Sequence, residues 1–94
     1  MSDLVVIARA KAQPGREAEL QQALVANAAA SRNDAGCVSY SVLRGDGGVF
    51  MALERWSSRP EFDQHMTTGH VQTLLQTIMP LLTGPPEIQV LQEV

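Results

Sequence analysis

The chain has little with which to grip a nucleic acid, form internal disulfides or cross a membrane. Only seven of its 94 residues are Lys or Arg, against ten Asp or Glu. The basic residues Arg9, Lys11, Arg16, Arg32, Arg44, Arg55 and Arg59 are scattered. Nucleic-acid binding needs a concentrated basic patch that releases counterions, so no nucleic-acid partner is expected. One cysteine, Cys37, cannot close an internal disulfide and points to a reducing compartment. Met1-Ser2-Asp3 lacks the basic start of a secretory leader, and the apolar run after it is short. No stretch approaches membrane-spanning length. The expectation is a cytoplasmic protein with no membrane attachment. Aromatic residues are few (Tyr40, Phe50, Trp56 and Phe62), so each calls for a reason.

What is present reads as one domain, residues 1–94. Leu4 to Ala10 is rich in β-branched residues and predicts a strand. Pro14-Gly15 ends it. Arg16 to Ser31 predicts a helix, with Leu20, Leu24, Ala28 and Ser31 along one stripe widened by Ala23 and Ala30. Its alanine content favours helix. Cys37 to Arg44 and Val49 to Trp56 predict two strands joined by the tight turn Gly45-Asp46-Gly47-Gly48. Ser58-Arg59-Pro60-Glu61 has the form of a capping box with Pro in the first turn, opening a short helix with Phe62, His65 and Met66 inward. Thr67-Thr68-Gly69 interrupts it. A second helical stretch carries Val71, Leu74, Leu75, Ile78 and Leu82 at helical spacing, its end kinked or shortened by Pro80. Glu87 to Val94 predicts the last strand.

The order β-α-β-β-α-β is the ferredoxin-like arrangement, an α+β fold with helices on one face of an antiparallel sheet. On the third strand both faces are largely apolar: Phe50, Ala52, Glu54 and Trp56 on one, Val49, Met51, Leu53 and Arg55 on the other. A sheet with one face in water should alternate apolar with polar. The second face therefore predicts a cover, most simply another copy packed sheet against sheet as a homodimer.

Polar residues inside apolar patterns are the candidates for chemistry. Glu54 interrupts an apolar strand. It either pairs with an arginine such as Arg9 or Arg44, or serves a pocket as acid, base or acceptor with a raised pKa. Trp56, on the same face, is either core or the wall of a pocket for a flat ligand, with its indole N–H free. Tyr40 carries the same two readings. His65 lies inward and can exchange protons near neutral pH, or it can be a core histidine bonded to a carbonyl. His70 starts the next helical piece and reads as a partly exposed terminus residue. His65 and His70, five apart, do not stack on one helix face, and no zinc-type spacing exists, so no metal is expected. No glycine-rich nucleotide loop or nucleophile elbow is present. Cys37 has nothing cationic beside it in sequence and is a poor nucleophile.

Pro14-Gly15, Gly36-Cys37-Val38-Ser39-Tyr40, Glu54-Arg55-Trp56, and His65 with Met66-Thr67-Thr68-Gly69-His70 stand in an order and spacing that resemble the antibiotic biosynthesis monooxygenase-like family of the dimeric α/β-barrel superfamily. The resemblance spans nearly the whole chain. It implies a dimer of two sheets closed into a barrel, with the last strand reaching toward the partner. It also implies oxidation of a quinol- or anthrone-like aromatic substrate by molecular oxygen without metal, flavin or other cofactor. His65 or Glu54 would then be the base. Trp56, Tyr40, His70 and Phe62 would bind the substrate. A second branch isomerises a phosphorylated sugar-like signal molecule and ends its last helix as Thr83-Gly84-Pro85 does here, so an isomerase stays open, as does a non-enzymatic ligand-binding dimer. A haem-degrading branch is excluded, because the first strand has no Asn and Leu74 and Leu75 stand where its His would fall.

Overall fold

A computed structural model describes residues 3–94; Met1 and Ser2, part of the stretch read for a leader, lie outside them. Four strands, β1 (Leu4–Lys11), β2 (Cys37–Arg44), β3 (Val49–Trp56) and β4 (Glu87–Gln92), form one antiparallel sheet in the order β2-β3-β1-β4. Helices α1 (Glu17–Ser31), α2 (Arg59–Met66) and α3 (Gly69–Ile78) pack on one face. This is the ferredoxin-like topology expected from the element order.

Local chemistry sets the boundaries. Ser58 caps α2, accepting from the Glu61 N–H, and Pro60 sits in the first turn where its missing N–H is no loss. Thr67 and Thr68 donate their hydroxyls to the carbonyls of Gln64 and His65, closing α2 so that α3 starts afresh at Gly69. The second helical stretch is shorter than its apolar spacing predicts. It ends at Ile78, Met79–Leu81 tightens to a 3₁₀ turn, and Leu82 is extended and bridges to Ala12. Pro80 is the cause, since it lacks an N–H and its ring collides with the preceding turn. β4 ends at Gln92, two residues short of the expected Val94.

The core between helices and sheet has two parts. One gathers Ala10, Leu20, Leu24, Phe50, Ile78, Leu81 and Leu82. The other gathers Val6, Ala28, Tyr40, Ala52, Trp56 and Phe62. Strand alternation puts Phe50, Ala52, Glu54 and Trp56 on this buried side, leaving Val49, Met51, Leu53 and Arg55 on the face without helices. β4 is an exposed edge, with Ile88, Val90 and Leu91 all accessible.

Candidate functional site

Between the two core clusters the packing leaves a cavity. Its wall is mostly apolar, with Leu24, Phe50, Val71, Leu74 and Ile78 among the lining residues. Asn27, Tyr40, Glu54 and His65 bring polar groups to it. At about 70 Å³ it is smaller than a typical small-molecule site, but its mostly apolar wall with a few convergent polar groups has the lining of one.

Glu54 comes to the cavity from the middle of β3, opposite Val6 on β1 and Tyr40 on β2. It is 4% exposed, and no arginine pairs with it among the described residues. Of the two arginines expected to pair with it, Arg44 instead donates to Gln21 and lies over the Phe50 ring. Glu54 instead accepts from the Trp56 indole N–H at 3.0 Å. Burial pushes its carboxyl up to about 7, while hydrogen bonds from Trp56 and Tyr40 pull it partly back. A carboxyl at that position is divided between acid and base near neutrality.

Trp56 is wholly buried and does not line the cavity. Its N–H is not free, because strand periodicity puts it two residues along from Glu54 on the same face. The indole also supports His65, whose ring lies 4.5 Å away between centroids. Phe62 likewise belongs to the core and not to the cavity wall. Tyr40 does line the cavity. Its hydroxyl accepts from Asn27 Nδ2 at 3.1 Å, and desolvation raises its pKa well above the usual phenol range.

His65 stands on the inward side of the last turn of α2 and is 3% exposed. No backbone carbonyl takes its Nδ1, as the core reading supposed. Asp34, in the turn between α1 and β2, places Oδ2 2.7 Å from that nitrogen. The carboxylate holds the proton on Nδ1 and leaves Nε2 as the ring's free lone pair. Desolvation lowers the His65 pKa, with Asp34 opposing it, and so favours the neutral imidazole. His70 is outside this cavity, but its Nε2 reaches the same Asp34 oxygen at 3.0 Å. The break at Thr67–Gly69 makes this possible: the two histidines stand on different helices, so their spacing on a single helix does not apply.

Sequence reasoning missed Asn27 and Asp34. Asn27 continues the buried face of α1, and its Oδ1 is buried without a partner. A polar residue on the Leu20–Leu24–Ala28 stripe was the available signal. Asp34 reads as a turn former, and nothing local signals that it meets residues 31 and 36 positions later.

The model of the family described as antibiotic biosynthesis monooxygenase matches residues 3–77. The chain belongs to the antibiotic biosynthesis monooxygenase family. Rv0793 of Mycobacterium tuberculosis is 33% identical over 91 residues, 96% of this chain and 90% of that protein. Its solved structure superposes with a TM-score of 0.92 at 32% identity, covering 99% of this chain and 96% of that one. PA3566 from Pseudomonas aeruginosa is similar too, with a TM-score of 0.89, 29% identity, and coverage of 100% and 96%. No helix of the described residues is long and apolar enough to cross a membrane.

Proposed function

We propose that this member of the family oxidises a quinol- or anthrone-like aromatic substrate with molecular oxygen, needing no metal or flavin, and does so as a homodimer. The observation that carries this reading is the apolar cavity into which a buried His65, oriented by Asp34, and a buried Glu54 are brought together.

His65 Nε2 takes a proton from the substrate, and Asp34 stabilises the charge that forms on the ring. The flat rings lie against the apolar wall, whose side chains move apart to admit them, since the cavity as it stands holds only about 70 Å³. The Oδ1 of Asn27, buried and unpaired, is an acceptor for a substrate hydroxyl. Glu54 in its protonated form donates to a substrate oxygen. The electron-rich anion then reacts with oxygen. For an anthrone, a carbon–oxygen bond forms at the methylene carbon to give a hydroperoxide. Loss of water leaves the ketone, so one oxygen atom stays on carbon and the other leaves with two hydrogens. The substrate supplies all the electrons, and the protein supplies the base, the orientation and the dry surroundings.

The mostly apolar lining, with Arg9 its one cation among the described residues, suits an aromatic better than a phosphorylated sugar. The isomerase reading would need anaerobic turnover of such a phosphate by the same proton-transfer groups.

Oxygen consumption with a panel of hydroquinones and anthrones tests the proposal. Wild-type protein should take up oxygen without added metal or flavin, and His65→Ala should lose about a hundredfold or more of that rate. No enzyme-dependent uptake across the panel, from a folded protein, would end the oxygenase reading.

A further inference from the structure

Asp34, His65 and His70 put three potential metal-ligating atoms at one point beside the cavity. They are His65 Nδ1, His70 Nε2 and Asp34 Oδ2, all within 4.8 Å of one another. Three separate pieces of backbone supply them: the turn after α1, the last turn of α2 and the first turn of α3. Asp34 Oδ2 is 2.7 Å from His65 Nδ1 and 3.0 Å from His70 Nε2. Ligand bonds of about 2.1 Å put neighbouring donors about 3.0–3.4 Å apart around a first-row divalent ion. Asp34 Oδ2 stands near that spacing from both nitrogens, and the two nitrogens, within 4.8 Å of each other, reach it by rotation of the imidazole side chains.

We propose that this trio is a binding site for a divalent transition cation of the zinc type. Two imidazoles and one carboxylate suit Zn²⁺, Co²⁺ or Ni²⁺, whereas Ca²⁺ and Mg²⁺ require oxygen-rich shells. Access fits a reversible site. His65 is buried, but the side chains of Asp34 and His70 are 18% and 26% exposed, so an ion can enter and keep water on its open positions. The break between α2 and α3 is itself fixed, because the Thr68 hydroxyl donates to the His65 carbonyl at 2.7 Å.

Occupancy has a consequence for the cavity. With no ion bound, His65 carries its proton on Nδ1 and offers the Nε2 lone pair. An ion coordinated through Nδ1 displaces the proton from that nitrogen and takes the lone pair so exposed, and the neutral ring then carries its single proton on Nε2. The nitrogen that would accept a substrate proton becomes a donor. The ion thus switches off the base without entering the cavity. This consequence rests on the base role given to His65 under the proposed function, but the binding site does not.

The test starts with chelator-stripped protein titrated with Co²⁺ and followed by its visible absorption. Zn²⁺ affinity is then read by competition with a chromogenic chelator. One ion per chain should bind saturably at micromolar concentration. His70→Ala and Asp34→Asn, checked for folding by circular dichroism, should each weaken it about tenfold or more. Absence of saturable binding below millimolar Co²⁺ and Zn²⁺ would overturn the proposal, and so would binding that both variants leave unchanged. Zn²⁺ should also inhibit oxygen uptake in wild-type protein, with His70→Ala moving inhibition to higher Zn²⁺ whatever its basal rate. Binding without inhibition would remove the switch and the base role of His65 while leaving the site.

Discussion

Burial and hydrogen bonding pull the Glu54 carboxyl in opposite directions. Loss of water disfavours the charged form, and the donors Trp56 and Tyr40 favour it. Burial wins, and the pKa rises from 4.5 to about 7. The folded chain therefore binds more protons than the unfolded chain between those values. Stability falls as pH rises through that window and levels off above it, a loss on the order of 3 kcal/mol for this one group. Glu54→Gln keeps the shape and cannot ionise. Its melting temperature relative to wild type should rise between about pH 4 and about pH 8, because only wild type suffers the loss. Parallel melting curves for the two proteins across that range would show an ordinary carboxyl at position 54. The sequence made Glu54, Tyr40 and His65 legible, because each interrupts or joins an apolar face whose period is known. It left Trp56 open between core and cavity wall, because periodicity gives the face of a side chain but not its hydrogen-bond partner. Asp34 was hidden for a related reason, since its partners come from two helices far along the chain.

At the scale of elements, the turn that presents Asp34 depends on Gly36. This glycine has φ +82°, a conformation that L side chains avoid, and a Cβ there would fall on the Glu61 side chain. Glu61 is held in the cap of α2, so the two constraints meet where α2 is docked against the start of β2. Gly15 has a similar φ of +86° with open space around it. Gly15→Ala should therefore show the backbone strain alone, about 1–2 kcal/mol. Gly36→Ala should lose clearly more in urea denaturation, because Glu61 must also move. Equal losses would mean that Glu61 yields freely. The boundaries of most elements could be read from the chain, since capping residues, the glycine turn and the strand alternation act locally. The three-part organisation of the second half was only partly legible. Thr67-Thr68-Gly69 marked the interruption, but the swing that brings His70 beside Asp34 is a tertiary outcome.

For the whole molecule, the proposed homodimer rests on the sheet face away from the helices. It carries Val5 and Ile7 from β1, Val49, Met51 and Leu53 from β3, and Leu91 from β4, with its charges toward the strand ends: Arg9 and Lys11 on β1, Arg55 on β3 and Glu87 on β4. Leu53 and Leu91 remain 39% and 44% exposed. A small domain buries a modest fraction of its surface, so leaving this face bare would forgo much of the available hydrophobic stabilisation. The proposed second copy, laid sheet on sheet, would cover it with a self-complementary patch, and the exposed edge β4 would give that copy a further surface. Leu53, paired with Ile7 on one side and Ser41 on the other, lies well inside the face. Leu53→Asp would bury a charge with no partner in such an interface, which costs several kcal/mol per subunit. The same substitution on a solvent-exposed face would change little. Light scattering after size-exclusion chromatography should give a dimer for wild type and a monomer for Leu53→Asp. The melting temperature should rise with concentration for wild type and lose that dependence in the variant. A wild-type monomer at micromolar concentration would refute the dimer and leave the apolar face to another cover.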